Sequence, residues 1–377
     1  MAITKFSFPT AITFGPGARR EVAAHLKNQG VKRPLIVTDK GLASLPILKQ
    51  FASSLAGLAV STYSGVFGNP VKQQVADGVK AFKSHDADAV IGFGGGAALD
   101  VAKAVALMAV HEGDVLEYAW DHPKVRPIRN PLPYFVALPT TSGTGSEVGR
   151  SSVISDDATH VKKIIFNPVL LARAVFADPE LTLDLPPNVT AATGMDALTH
   201  NVESYLSPAY HPLCDGIALE GARIAAHSLE RAVRSPQDLA ARSDMMMSSM
   251  MGAIAFQKDL GAVHSCAHAL GTVNDMHHGL ANGIMIDHVM RFNLDAAREK
   301  LAELARVCGA GTSAESFVEW LGGLKARIGI PAKLGERGVK KEHIAKLVQI
   351  AVADTCHQTN PRPVSAADFE RIFAGAI

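Results

Sequence analysis

The sequence predicts an α/β N-terminal domain with a parallel sheet, followed by an all-α domain. Three observations carry that prediction. Through the first half, short β-branched runs alternate with helical patterns, the rhythm of βαβ units. One of these runs ends in a string of glycines that opens a helix, "VIGFGGGAALD". Beyond Pro187 strand signals almost vanish. The boundary is expected near residue 185, so that residues 1–185 and 186–377 form two domains, and 377 residues are enough to bury two cores.

Taken in order, "RPLIVTD" is a strand before a helix-like stretch, "LAVSTYSGV" precedes "VKQQVADGVKAFKSH", and "ADAVIGFGGG" precedes "ALDVAKAVALMAV". Another apolar run, "YFVALP", enters the hydroxyl-rich loop "TTSGTGSE", and "AVFADPELTLDLPP" closes the region with three prolines. From Thr190 onward the chain is rich in Ala, Leu, Met and His at helical spacing, which predicts several packed helices. The run "DMMMSSMMGAIAF" holds five of the eleven methionines. Adaptable core packing explains it better than a methionine-lined substrate wall.

Composition excludes several classes of partner. Lys plus Arg number 37 against 36 for Asp plus Glu, so no field draws nucleic acid, and a small-molecule ligand is expected. Cys214, Cys266, Cys308 and Cys356 form no C-x-x-C pair, which argues against a disulfide framework or a zinc ribbon and suits a reducing cytosol. The start "MAITKFSFPTAITFG" lacks the pattern of a secretory leader, and the most apolar later stretch carries Asp100 and Lys103. A soluble, cytoplasmic protein with no membrane segment is expected.

Two loops suit a nucleotide. In "VIGFGGGAALD" a strand ends in glycines where a helix begins, so backbone amides at the helix N-terminus can face a phosphate with no side chain between. Gly92, Gly94 and Ala97 satisfy G-x-G-x-x-A, yet the acidic residues some twenty positions on follow no clear strand, unlike an ordinary Rossmann fingerprint. Asp39, which ends "PLIVTD", is the better partner for an adenosine ribose. Its charge would repel a 2′-phosphate and favour NAD; its alternative role is to cap the turn before Gly41. "PTTSGTGSE" adds Thr140, Thr141, Ser142, Thr144 and Ser146 after a second strand, and open α/β sheets bind ligands at strand C-terminal ends.

The second half holds metal-ligand spacing. Asp196 and His200 are four apart, so a helix puts both on one face, and His264 and His268 repeat the interval. A lone histidine on an apolar face is usually a packed core residue, and Asp196 could merely cap its helix after Gly194, but several such residues together point to a cation. One carboxylate with imidazoles suits Fe(II) or Zn(II) rather than calcium. Cys266 would point away from the histidines beside it. In "GAVHSCAHALGTVNDMHHGLANG" spacing alone leaves open which of His264, His268, His277 and His278 are ligands.

The stretches "GFGGGAALDVAK", "ALPTTSGTGSEV", "TAATGMDALTHNVESY", "VHSCAHALG", "HHGLANGIMIDHVMRFN" and "TCHQTNPRP" together resemble the iron-containing (group III) alcohol dehydrogenases, with a dehydroquinate synthase-like fold, nearly end to end. The local wording is similar to 4-hydroxybutyrate and related hydroxy-acid or diol dehydrogenases. The resemblance implies a metal, Fe2+ or Zn2+, held by Asp196, His200, His264 and His278, with His268 a non-ligand near the nicotinamide and available for proton transfer. It implies pyrophosphate binding by Gly94, Gly95 and Gly96 with Asp100, a second cofactor loop at Thr140, Thr141 and Thr144, and cofactor contact at Lys162; Asp39 disfavours NADP. The implied reaction is reversible hydride transfer between a primary alcohol and NAD, the metal acting as a Lewis acid, in a homodimer or larger homo-oligomer.

Two positions depart from the family pattern. Ala97 stands where serine is usual, and His277 where proline is common. His277 is expected to line the pocket or support the site rather than ligate, with Arg150 as another candidate for holding a substrate carboxylate. Competing readings are a maleylacetate reductase of the same fold, which can work without metal, and a non-catalytic nucleotide-binding relic. The intact Asp196, His200, His264 and His278 set argues against both.

Overall fold

The structure, a computed structural model, describes residues 8, 10–157 and 161–377. The opening stretch on which the expectation of no export leader rests lies largely outside the described residues. The chain divides into two compact units. One runs to Thr141 and resumes over Ser146–Thr182; the other takes Ser142–Gly145 and Leu183–Ile377.

The first unit carries a six-stranded sheet of β1 (Ala11–Phe14), β2 (Pro34–Asp39), β3 (Ser61–Val66), β4 (Ala89–Gly94), β5 (Tyr134–Pro139) and β8 (Ala174–Ala177), in the order β1-β8-β5-β4-β2-β3. All its pairings are parallel. The helices are α1 (Val22–Asn28), α2 (Lys40–Ala43), α3 (Pro46–Ser54), α4 (Lys72–Ser84) and α5 (Gly96–Met108). Central strands are buried on both faces, so β4 reads as the unbroken run "AVIGFG" rather than an alternation. Ile36, Ile91, Phe93, Val136 and Leu138 form the core, with Phe51 stacked on Phe93 at 4.8 Å.

Two features lacked a sequence signal. Edge strand β1 is four residues of mostly exposed chain, so it shows neither an apolar run nor clean alternation. The antiparallel pair β6 (Ser151–Ser155) and β7 (Lys162–Phe166) is short and laced with serine and lysine, which hid it in a region resembling a loop.

The second unit contains α6 (Pro187–Leu206), α7 (Pro212–Arg234), α8 (Leu239–Ala255), α9 (Ala262–Asn274), α10 (His278–Asn293), α11 (Arg298–Val307), α12 (Ala314–Arg327), α13 (Ile344–Ala353) and α14 (Ala366–Ala376). Every residue of α6 from Thr190 to Ser204 is buried, so it is the central rod on which the others pack, and each polar group on it needs an internal partner. Met245, Met246 and Met250 are buried, and Met245 joins the main helical core, consistent with methionine as filler. Among the described residues no helix is long and apolar enough to cross a membrane.

Candidate active site

Asp196 and His200 lie one turn apart in mid-α6, so Asp196 is no helix cap. His264 sits in the first turn of α9, and His278 is the first residue of α10. Their donor atoms converge within 4.8 Å of one another. Asp196 Oδ1 is 3.9 Å from His200 Nε2, 3.9 Å from His264 Nε2 and 3.5 Å from His278 Nε2. Asp196, His200 and His264 are buried, while His278 keeps a quarter of its side chain exposed.

These helices approach closely because glycines let them. A Cβ at Gly279 would overlap the Ala192 carbonyl oxygen and lie 3.2 Å from the Asp196 Cβ, so the residue after His278 must be small for α10 to start against α6. A Cβ at Gly252 of α8 would lie 2.8 Å from the His200 Cβ.

Neighbouring acceptors aim the imidazoles. His264 Nδ1 donates to Glu203 Oε2 at 2.6 Å, and Glu203 Oε1 also accepts from the Val263 amide at 2.7 Å. His200 Nδ1 donates to the Gly143 carbonyl at 3.2 Å. A carboxylate or carbonyl only accepts, so each Nδ1 carries the proton and each Nε2 turns a lone pair toward Asp196. Burial pushes the His200 imidazole down to about 4 despite the opposing pull of Asp196, which keeps it neutral and able to ligate. Asn282 Nδ2 donates to Asp196 Oδ1 at 2.7 Å and steadies the carboxylate. One carboxylate oxygen and three imidazole nitrogens, with the His200 and His264 rings buried and pre-aimed, fit a divalent first-row cation.

Glu203, Gly143 and Asn282 were not anticipated. Glu203 follows Asp196 at i+7 and His200 at i+3, on the same helical face, so spacing could have revealed it. Gly143 acts through its backbone, which residue identity does not signal.

His268, one turn beyond His264, is outside the four-donor group. Its ring stacks on His278 with centroids 5.3 Å apart, and its Nδ1 donates to Asp354 Oδ2 at 2.8 Å. His277 is exposed at the N-cap of α10, where its Nδ1 accepts from the Leu280 amide at 3.4 Å. The Arg150 guanidinium lies over the Phe166 ring, 5.3 Å from its centroid. Cys266 is buried and belongs to no donor cluster among the described residues, and its thiol is pushed well up by burial.

In the sheet unit β2 has β3 on one side and β4 on the other, so the strand order reverses between β2 and β4. Asp39 ends one of these strands and Gly94 ends the other, with Gly95 and Gly96 leading into α5, at the crevice where open sheets bind ligands. Asp39 Oδ1 accepts from the Leu42 amide at 2.9 Å and caps α2, while Oδ2 faces Gly94, 3.3 Å from where a Cβ would stand. Gly94 has φ +156°, and Gly95 is the N-cap of α5. The Thr140 amide donates to the Gly94 carbonyl at 3.0 Å, and a Cβ on Gly95 would come within 3.2 Å of Thr141 Cγ2, so the two loops abut.

Asp100 lies on α5. Its carboxylate accepts from Ser146 Oγ at 2.6 Å and the Val153 amide at 3.1 Å, with buried Lys103 Nζ 3.7 Å away, so it pins the hydroxyl-rich loop and β6. Lys162 opens β7, and Thr144 lies in the Ser142–Gly145 segment that belongs to the helical unit.

The family model for iron-containing alcohol dehydrogenase matches residues 9–179, and that for the C-terminal region of the Fe-containing alcohol dehydrogenase family matches residues 190–377. The chain is 38% identical over 368 residues to a 4-hydroxybutyrate dehydrogenase of Cupriavidus necator, covering 95% of each chain. It is 37% identical to a 1,3-propanediol dehydrogenase of Citrobacter freundii, over 98% of this chain and 97% of the other. A crystal structure of a 1,3-propanediol oxidoreductase superimposes with a TM-score of 0.95 at 36% identity, covering 100% of both chains.

Proposed function

The chain belongs to the iron-containing alcohol dehydrogenase family, and from that premise we propose that its substrate is a short primary alcohol bearing a second polar group, a diol or hydroxy acid. It is a metal-dependent, NAD-linked oxidoreductase of short alcohols, diols or hydroxy acids. The observation that carries the reading is the convergence of Asp196, His200, His264 and His278. The relatives named for 4-hydroxybutyrate and 1,3-propanediol support the second polar group.

Asp196, His200, His264 and His278 would hold the cation, Fe2+ or Zn2+, which the same donors accept. When bound, the cation would supply Lewis acidity at the substrate oxygen, and the nicotinamide would supply the hydride acceptor. The amides of Gly94, Gly95 and Gly96, from the end of β4 to the start of α5, would receive the pyrophosphate, Thr140, Thr141 and Thr144 would hydrogen-bond the cofactor, and Lys162 would add a positive charge. Asp39 accepts from the ribose hydroxyls and repels a 2′-phosphate. Asp100 contributes by holding the loop that carries these threonines. His268 takes the hydroxyl proton during oxidation and returns it during reduction. The unpaired cysteines suit the cytosol, and the family resemblance supports a homodimer or larger homo-oligomer, which gel filtration would measure.

Purified protein assayed with ethanol, 1,3-propanediol, lactaldehyde and 4-hydroxybutyrate, each with NAD+ and NADP+ and before and after chelation, tests the reading. Chelator-sensitive NAD+ reduction, strongest with a diol or hydroxy acid, is expected. Faster turnover of ethanol than of either would overturn the substrate assignment. His268→Ala should slow turnover roughly 10²–10⁴-fold while sparing bound metal; a variant that loses its metal would show that His268 belongs to the ligand set instead.

A further inference from the structure

We propose that Asp354, just past the end of α13, is a positioning residue for proton transfer: it fixes the tautomer and plane of His268 so that Nε2 is the working nitrogen. The proposal rests on the proton-handling role proposed for His268.

The carboxylate is built to be immobile. Oδ2 accepts from His268 Nδ1 at 2.8 Å, while Oδ1 accepts from Ser265 Oγ at 2.7 Å and from the Cys356 amide at 2.9 Å. Ser265 in turn accepts from the His357 amide at 2.9 Å. Ser265 and His268 both belong to α9, so one carboxylate ties two residues of that helix to the segment after α13. The same segment is anchored twice more: Thr359 Oγ1 donates to the Leu260 carbonyl at 2.8 Å, and Asn360 Oδ1 accepts from the Ala262 amide at 3.3 Å. Burial favours the neutral acid at Asp354, but the adjacent His268 and these hydrogen bonds outweigh it and hold the carboxyl well below the usual range.

An ionised carboxylate only accepts, so Nδ1 of His268 keeps its hydrogen and Nε2 carries the free lone pair. The ring plane is set by stacking on His278, itself a donor of the metal group. During oxidation the hydroxyl proton passes to Nε2 as hydride leaves the carbon for NAD+, and the imidazolium formed is stabilised by Asp354 before the proton goes to water. The balance is alcohol plus NAD+ to aldehyde, NADH and one proton. In reduction each transfer reverses.

Asp354→Asn is near-isosteric and replaces one oxygen with an N–H donor, which favours the opposite tautomer, as asparagine does in a serine-protease triad. The holoenzyme variant is expected to lose about 100-fold or more in kcat. KM for NAD, bound metal and near-ultraviolet circular dichroism should stay as in the parent, while the solvent deuterium isotope effect on kcat rises. Asp354→Glu should recover part of the loss. The decisive measurement is the double variant: if Asp354 acts through His268, adding Asp354→Asn to His268→Ala lowers kcat no further. Full additivity, metal loss in step with kcat, or parental kcat in Asp354→Asn beside a slow His268→Ala would each overturn the positioning role. Parental turnover in His268→Ala would instead overturn the reading on which it rests.

Discussion

Glu203 makes two hydrogen bonds from a fully buried site, and both serve His264: one holds the ring, the other the backbone one residue before it. Substituting Glu203→Gln keeps the volume but offers only one acceptor oxygen, so metal affinity should fall roughly 10–100-fold, measurable by competition with a chromophoric chelator. Unchanged affinity would mean that the imidazole is held by its packing alone. At this scale the sequence was partly legible. Asp196 and His200 announced themselves by their interval. The same interval would have recruited His268 beside His264, because equal spacing on one helix says nothing of what faces each ring. A carboxylate from the far end of the chain, Asp354, claims His268, and the next helix supplies His278.

Among the elements, α6 and α10 set the geometry of the metal group, and their separation is set by Gly279. Gly279→Ala would drive a methyl into the Ala192 carbonyl, displacing the start of α10 and with it His278. The expected outcome is at least tenfold weaker metal binding by titration calorimetry, with a thermal midpoint lower by several degrees. A variant that binds metal normally would show that α10 can shift without carrying His278 away. Elements buried on two faces, such as β2, β4 and β5, were legible because such strands must be continuously apolar. The exposed edge strand β1 and the β6–β7 pair were not, since strands with water on one side and only four or five residues leave too little pattern.

Over the whole molecule, the sequence signalled the change from alternating strands and helices to helices alone, but not that four residues of the first half would belong with the second. Burial also leaves a pH signature in the sheet unit. It pushes the Glu147 carboxyl up to about 7 from an ordinary 4.5. Below pH 4.5 both folded and unfolded chains hold that proton; between 4.5 and 7 only the folded chain does, so stability falls as pH rises through the window and levels off above it. Glu147→Gln should remove that decline, and the thermal-midpoint difference between parent and variant, followed from pH 4 to pH 8, would measure it. A constant difference would mean that the carboxyl titrates normally. The Ser142–Gly145 segment has a consequence for recombination. A hybrid of two family members spliced at residue 182 would draw His200 from one parent and the carbonyl that orients it from the other. The two halves are therefore not interchangeable cassettes. A functional graft of the helical half must bring Ser142–Gly145 with it, as a second, separate insertion.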